Sequence, residues 1–408
     1  MSSVFIARQP IVDSKKELFA YELLFRDYSD SVENSDFSKI EDMYATSRVA
    51  VNTLGQFGIE AIVGESVAFI NADSQFILSD FITMLPKERF YIEVLEDVKV
   101  DDALVKRVME LRKAGYRFAL DDMVLDEKFL KEYQKLLPLV DIVKIDITLF
   151  GIENLKSAIG ALSGYSHLKF LAEKVETLRE FELCKDAGCT LFQGYFFAKP
   201  EVKSRSSLDP SKSTLLEITG LLLNDESDLK EISAAFESAP DLSLQLFQFL
   251  NSARFAFKTP VRSISHAIMM VGRRDLLTWI YMIAYAKGNL SAIERSALVS
   301  LAMFRSRFLR KLSALHGDRE KVQDMAAFMG TISLADTIFE MPMESIVEKI
   351  NLDGAIKTAL LKYEGTLAEY LAIAKSVEEG GFDAFMHSAA KIGLDIDAVK
   401  KAAIESYS

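Results

Sequence analysis

The segment Tyr116-Arg117-Phe118-Ala119-Leu120-Asp121-Asp122 is an apolar run that ends in two adjacent carboxylates. Like charges held this close repel, so the pair calls for a cation. Along an extended chain successive side chains point to opposite sides. At a strand end, where the backbone turns, both can still converge on one metal ion or bridge two. The alternative is a solvated helix cap, with Asp122 preceding the next helix.

The same design recurs through the first half of the chain. Tyr21-Glu22-Leu23-Leu24-Phe25-Arg26 carries Glu22 and Arg26, Val67 to Asn71 ends at Asn71, and Phe90-Tyr91-Ile92-Glu93 ends at Glu93. Asp141 to Asp146 carries Lys144 and Asp146, Leu168 to Glu173 ends at Glu173, and Leu191-Phe192-Gln193 ends at Gln193. Helical patterns such as Ala103 to Lys113 and Thr177 to Ala187 lie between them, which is the βαβ rhythm of a parallel sheet. Strands buried on both faces and polar only at their C-terminal ends predict a (β/α)8 TIM-like barrel with its site on that face.

One strand should depart from that plan. Val4 to Val12 is separated from the Glu22 strand only by Asp13-Ser14-Lys15-Lys16. Parallel neighbours need a crossover of about a dozen residues or more, so this connection predicts a hairpin and one antiparallel strand. Pro10 within it cannot donate to a ladder and marks an edge or a local break, which leaves Gln9 free to face a ligand. A helix is expected from about Lys39 to Gln56. The strand signals stop in the polar stretch Pro200 to Pro210, and from Thr214 the chain reads as amphipathic helices, among them Leu242 to Asn251, Ile264 to Val271 and Arg274 to Ala286. The expected division is a barrel over 1–203, a linker over 204–212 and an all-helical domain over 213–408.

Composition bounds the partners. A net charge of -12 in 408 residues argues against broad binding to nucleic acid or acidic membranes, while a small anion held by metal ions or local Arg and Lys is compatible with it. Cys184 and Cys189 lack metal-ligand spacing with a second pair and are expected to be buried, reduced thiols. The amino terminus shows no basic region followed by an apolar core, and no apolar run reaches the roughly 18 residues of a membrane span. A cytoplasmic protein is expected.

Glu22, Asn71, Glu93, Asp121 and Asp122 form an oxygen-rich group suited to Mg2+ or Mn2+, with no His or Cys among them to favour zinc. Two ions sharing Asp121, about 4 Å apart, would clamp the attacking and leaving oxygens of a phosphoryl displacement. Lys144 can hold the attacking water, Glu173 can ligate metal or accept its proton, and Arg26 can take a phosphate oxygen in its fork. Each has a bland counterpart: Arg26 pairing with Asp27 or Glu22, Lys144 with Asp146, Asn71 capping a helix. A different chemistry would be an enolase-like or aldolase-like barrel in which Lys144 abstracts a proton or forms a Schiff base.

In its motifs the first half resembles the EAL-type cyclic di-GMP phosphodiesterase domain. The signature glutamate strand is Glu22-Leu23-Leu24-Phe25-Arg26, with Leu23 where the family name has alanine. The metal-binding asparagine matches Asn71, the acidic strand Glu93 to Glu96, the double aspartate Asp121-Asp122, and the lysine-x-aspartate Lys144-Ile145-Asp146. Ala172-Glu173-Lys174-Val175-Glu176 and Gln193-Gly194-Tyr195 complete the series. The resemblance implies cyclic di-GMP as substrate, linear pGpG as product, and one or two Mg2+ or Mn2+ ions on Glu22, Asn71, Glu93, Asp121 and Asp122. It also implies Lys144, Glu173 and Glu176 in the catalytic machinery, and Gln9, Leu24, Arg26, Asp146 and Gln193 against the ligand.

Beyond Leu23, one loop and two single positions depart from the pattern. The loop after the double aspartate, glycine-rich in the family, reads Met123-Val124-Leu125-Asp126-Glu127-Lys128-Phe129. Leu95 stands where threonine is common, and Lys174 replaces a glycine. The loop is the family's link to the second metal and to a dimer partner, and Glu176 is its usual support, so a homodimer is an open expectation.

The second half resembles the HDOD domain, through Leu250 to Phe255, Val261 to Ile268, Val271 to Leu276 and Trp279. His167, His266, His316 and His387 are scattered and none precedes an aspartate, so the expected role is regulation through a protein partner, without a hydrolase site. The order of domains resembles a family of two-domain bacterial signalling proteins. The leading expectation is a metal-dependent cyclic di-GMP phosphodiesterase. The alternatives are a catalytically silent receptor for the same ligand and a scaffold acting through protein contacts.

Overall fold

The computed structural model describes residues 5–26, 58–197 except 124 and 126, 210–239 except 225, 242, 243, 246, and 263–407 except 286–295, 340–341 and 350–351. The expected helix over Lys39 to Gln56 and the motif Leu250 to Phe255 lie outside the described residues.

Eight strands close into a barrel in sequence order: β1 (Phe5–Asp13), β2 (Leu18–Arg26), β3 (Val67–Ala72), β4 (Phe90–Val94), β5 (Arg117–Leu120), β6 (Ile142–Asp146), β7 (Lys169–Glu173) and β8 (Leu191–Gln193). β1 runs antiparallel to both neighbours, β2 and β8, and every other neighbouring pair is parallel. The short hairpin therefore has the consequence expected of it. Pro10 pairs with Tyr21 on β2, whereas the β8 ladder involves only Ile11, Val12 and Asp13. The missing N–H of the proline thus sits where the second ladder has already ended. A register shift after Ile11 leaves Phe19 as an extra residue in β2, and its ring lies 6.4 Å from Phe69 and 6.2 Å from Tyr91.

The barrel interior is layered. Ile11, Ala20, Phe69, Tyr91, Ala119, Ile142, Leu171 and Leu191, one from each strand, form a buried cluster in which Phe69 and Tyr91 stack at 4.6 Å. Residues two apart on a strand share a face. One step further toward the strand ends, each apolar residue is followed on the same face by a polar one: Gln9, Glu22, Asn71, Glu93, Asp121, Lys144, Glu173 and Gln193. For the antiparallel β1 that step runs backward, from Ile11 to Gln9. A closed apolar floor therefore carries a closed polar layer, one residue per strand.

Helices return the chain between strands. Asp102–Lys113 is capped by Asp101, whose side chain accepts from Leu104 N, and buries Leu104, Val108 and Leu111. Leu178–Ala187 opens with a capping box between Thr177 and Glu180 and closes on the left-handed Gly188. Cys184 and Cys189, at this helix-to-strand junction, are buried free thiols, and burial raises Cys184 to about 12.

The second unit, residues 198–371, is helical where described. Leu229–Glu237 buries Phe236 beside the fully buried Trp279 of Ile264–Tyr285, at a ring separation of 6.4 Å. Ile264 to Val271 and Arg274 to Ala286, expected as two helices, are so divided: Ile264–Tyr285 is interrupted at Gly272, whose backbone is not helical (φ 82°, ψ 156°). Among the described residues no histidine joins a cluster of metal-ligating side chains.

Residues 372–408 group with the barrel, so that one unit is 1–197 with 372–408 and the other is 198–371. The helices at the C-terminal end carry the same amphipathic pattern as those before them, and periodicity does not say which core a helix joins. Among the described residues no helix is long and apolar enough to cross a membrane.

Candidate active site

Lys144 occupies the centre of the polar layer. Its side chain is fully buried, with Nζ 2.5 Å from Asp121 Oδ1, 2.6 Å from Glu93 Oε1, 2.9 Å from Glu173 Oε1 and 3.5 Å from Glu22 Oε2. Its partners are thus four strand-end carboxylates on β2, β4, β5 and β7, and not Asp146 as the bland alternative had it. Burial alone would lower the lysine, yet these carboxylates hold it well above its ordinary range. Burial holds Glu93 and Glu173 well above the carboxylate range despite the pull of Lys144, and their acidic neighbours add to the effect. One ammonium cannot neutralise this much carboxylate, so protons or further cations must balance the rest.

Two groups of carboxylates bring oxygens within 4.8 Å of one another: Glu22, Glu93 and Asp121, and Asp121, Asp122 and Glu173. Asp121 belongs to both. Asp122 reaches the second group because its backbone turns left-handed, with φ 47°, directly after the strand. That turn is how adjacent aspartates escape the alternation of an extended chain. Asn71 Oδ1, Glu93 Oε2 and Glu173 Oε2 are buried with no hydrogen-bond partner. The helix after β3 is capped by Asp73, whose side chain accepts from Phe76 N at 2.7 Å, so Asn71 is not its cap. Unpartnered buried oxygens around acidic groups fit a hard divalent cation.

Gln193 Nε2 donates to Glu22 Oε2 at 2.6 Å and to Gln9 Oε1 at 2.8 Å, linking β8, β1 and β2 across the hairpin. Leu24 and Asp146 stand one layer above Glu22 and Lys144, two residues further along β2 and β6. Asp146 Oδ1 accepts from Thr148 N, Thr148 Oγ1 and Leu149 N, capping the next turn, while Oδ2 pairs with Lys174. Burial opposes its ionisation, but these partners leave Asp146 below its ordinary range. Its acceptor capacity is thus already engaged. Glu176 is exposed and joins neither carboxylate group; its backbone N–H donates to Glu180 Oε2 at 2.8 Å. Arg26 ends β2 opposite Phe5, and its side chain lies outside the described residues.

Two features of the site escaped the sequence reading. Lys174 adopts φ 57°, a left-handed conformation suited to the family's glycine, and its ammonium pairs with Asp146. Gly194 (φ 140°) crosses Val175 so closely that an added Cβ would lie 2.1 Å from Val175 O. A glycine between Gln193 and Tyr195 is the signal that could have shown the second; the first needed the partner to be known.

The EAL domain family matches residues 69–200, and the HDOD domain family matches residues 208–330. The EAL match begins after β2, so the place of Glu22 in the site rests on its geometry. Over the whole chain, the Bacillus subtilis (strain 168) protein YuxH is 31% identical across 414 residues, covering 99% of this chain and 96% of its own length. The cyclic di-GMP phosphodiesterase CdgJ of Vibrio cholerae serotype O1 is 29% identical across 408 residues, covering 100% of this chain and 92% of its own. Among solved structures, the Bacillus subtilis YkuI protein, with an EAL domain and in complex with cyclic di-GMP and calcium, aligns at 19% identity and a TM-score of 0.38, over 58% of this chain and 72% of its own. With YuxH alike along nearly its full length, and both domains in that order, the chain belongs to the family of proteins in which an EAL domain is followed by an HDOD domain.

Proposed function

We propose that the barrel is a divalent-metal-dependent phosphodiesterase that hydrolyses cyclic di-GMP to linear pGpG, and that the helical unit carries the barrel's state to a protein partner in the cytoplasm. The observation that supports it is the pair of carboxylate groups sharing Asp121 beside a buried lysine. The relative CdgJ, named as a cyclic di-GMP phosphodiesterase, is consistent with it.

Glu22, Asn71, Glu93 and Asp121 would hold one Mg2+ or Mn2+, and Asp121 and Asp122 a second, with Glu173 beside it as the proton acceptor. Such ions supply charge for the phosphoryl oxygens and lower the pKa of a bound water. Lys144 Nζ would hold the attacking water by a hydrogen bond. Glu173, next to the lysine, takes the water's proton at its carboxylate as the new P–O bond forms and the P–O3′ bond breaks; the proton then passes to the leaving oxygen. Gln9 and Gln193 would orient the dinucleotide at the hairpin side, with Leu24 against a base. The Lys174 pair leaves Asp146 to shape the loop and not to accept from the ligand.

Turnover of cyclic di-GMP by the purified chain, with Mg2+ and then Mn2+, tests the reading. Activity that disappears in Glu22→Ala is the expected result. Binding without turnover would support the silent-receptor reading, which the glycine-free sequence after Asp122 favours; neither binding nor turnover would leave a scaffold.

A further inference from the structure

The chain rejoins the barrel unit at residue 372, and the end of helix Thr366–Glu378 with the glycine pair after it lies at the barrel rim. Gln9 Nε2 donates to Glu379 O at 3.2 Å, and Tyr195 OH donates to Glu378 Oε2 at 3.4 Å. Gly380, at φ 70°, comes so near β2 that a Cβ there would stand 2.8 Å from Leu24 Cδ1. Further along, Tyr407 anchors the segment: its hydroxyl donates to Ile6 O at 3.2 Å, and the Arg8 guanidinium lies between the rings of Tyr407 and Tyr21, at 4.2 Å and 4.4 Å.

Two of the residues touched, Gln9 and Leu24, are ones the proposed ligand would use. Gln9 and Leu24 stand at the hairpin side of the site, and Tyr195 follows Gln193 by two positions. The contact also reaches the metal-ligating layer through amides. Glu379 O takes a hydrogen from Gln9 Nε2, Gln9 Oε1 takes one from Gln193 Nε2, and the same Gln193 nitrogen donates to Glu22 Oε2. One of the two Gln9 Nε2 hydrogens is thereby engaged, so the turn competes with a ligand for that donor. The segment also brings Glu378 and Glu379 to the mouth of a site whose substrate would carry two phosphodiester charges, and like charges there oppose binding.

We propose that the turn Glu378 to Gly381 is an intramolecular occupant of the dinucleotide site, and that cyclic di-GMP binds by displacing it from Gln9, Leu24 and Tyr195. This rests on the cyclic di-GMP reading of the barrel. The site then exists in a closed form, with the turn seated, and an open form that the ligand selects, and apparent affinity is reduced by the closed fraction. Anything that holds residues 372–408 off the barrel raises affinity without touching the catalytic layer.

The test uses the full chain. Hydrogen–deuterium exchange is measured over 372–408 with and without cyclic di-GMP, beside KM, kcat and a binding titration for Gly380→Val and Glu378→Gln. Valine at φ 70° strains the seated turn and so favours its release; glutamine keeps the hydrogen bond to Tyr195 and removes the charge. The expected results are faster exchange around 376–382 when ligand is present and a KM lowered threefold or more in Gly380→Val, with kcat unchanged and a smaller drop in Glu378→Gln. Exchange that slows or stays the same on binding, with KM unchanged or raised in both variants, overturns the proposal and leaves the turn a fixed wall. If Gly380→Val does not fold, Glu378→Gln and the exchange data decide between the same outcomes. Absence of binding and turnover in the parent and both variants overturns the cyclic di-GMP reading itself, and this inference with it.

Discussion

Lys144 Nζ and Asp121 Oδ1 lie 2.5 Å apart at the centre of the barrel, the lysine fully buried and Asp121 nearly so. Lys144→Ala removes the one ammonium from among Glu22, Glu93, Asp121 and Glu173. Breaking one side of a buried ion pair costs about 3–5 kcal/mol. The expected outcome is a urea midpoint lowered accordingly in chelator and partly restored by Mg2+, with turnover lost in both conditions. A variant as stable as the parent in chelator would count against the lysine as the neutralising group.

The same cluster sets a pH dependence. Glu93 and Glu173 are held well above their ordinary value of 4.5, so above 4.5 the folded chain keeps protons that the unfolded chain has released. Stability from these two groups therefore falls as pH rises through that window. Lys144 does not offset this, because its raised value contributes stability that is fully present below 10.5 and is lost only as pH climbs through its folded value. Thermal midpoints in chelator should drop as pH rises above 4.5, and saturating Mg2+ should flatten the slope, since ligation needs deprotonated carboxylates. Equal slopes with and without the cation would refute this assignment.

Lys174→Gly replaces a left-handed lysine by the residue that tolerates φ 57°. Relief of the backbone is worth about 1–2 kcal/mol. The lost pair with Asp146 involves a lysine side chain that is 56% exposed, and screening holds such a pair to about 0–1 kcal/mol. Unfolding free energy should therefore change by no more than about 1–2 kcal/mol, as read from urea titration. Removing a unit charge beside Glu173 should tighten Mn2+ binding by roughly threefold or more, measured calorimetrically. Unaltered Mn2+ affinity would show that Lys174 does not bear on the second carboxylate group.

Gly194→Ala places a methyl 2.1 Å from Val175 O, where the backbone bonds Val175 N to Gln193 O and Phe196 N to Val175 O. Something must move, and overpacking of this kind costs on the order of 1–3 kcal/mol or more. Because Gln193 and Glu173 flank the crossing, turnover should fall by more than the stability loss alone would produce. Retained kcat in a destabilised but folded variant would show that the crossing is structural only.

The barrel itself was legible in the sequence. Apolar runs ending in Glu22, Asn71, Glu93, Asp121, Lys144, Glu173 and Gln193 have a local cause, a strand buried on both faces with a polar end, and the short link at Ser14 to Lys16 forced an antiparallel strand by chain reach alone. Layering at a spacing of two then followed from the pleat. Tertiary structure decided what lies across the barrel from what: that Lys144 takes four carboxylates and leaves Asp146 to Lys174, and that Asn71 keeps an unpartnered oxygen while Asp73 does the capping. It also decided that residues 372–408 return to the barrel at Gln9, a contact spanning 370 positions. Periodicity reports which face of an element is buried, a property of neighbours along the chain. The partner that buries it is chosen by packing among distant segments, and the sequence carries no local mark of that choice.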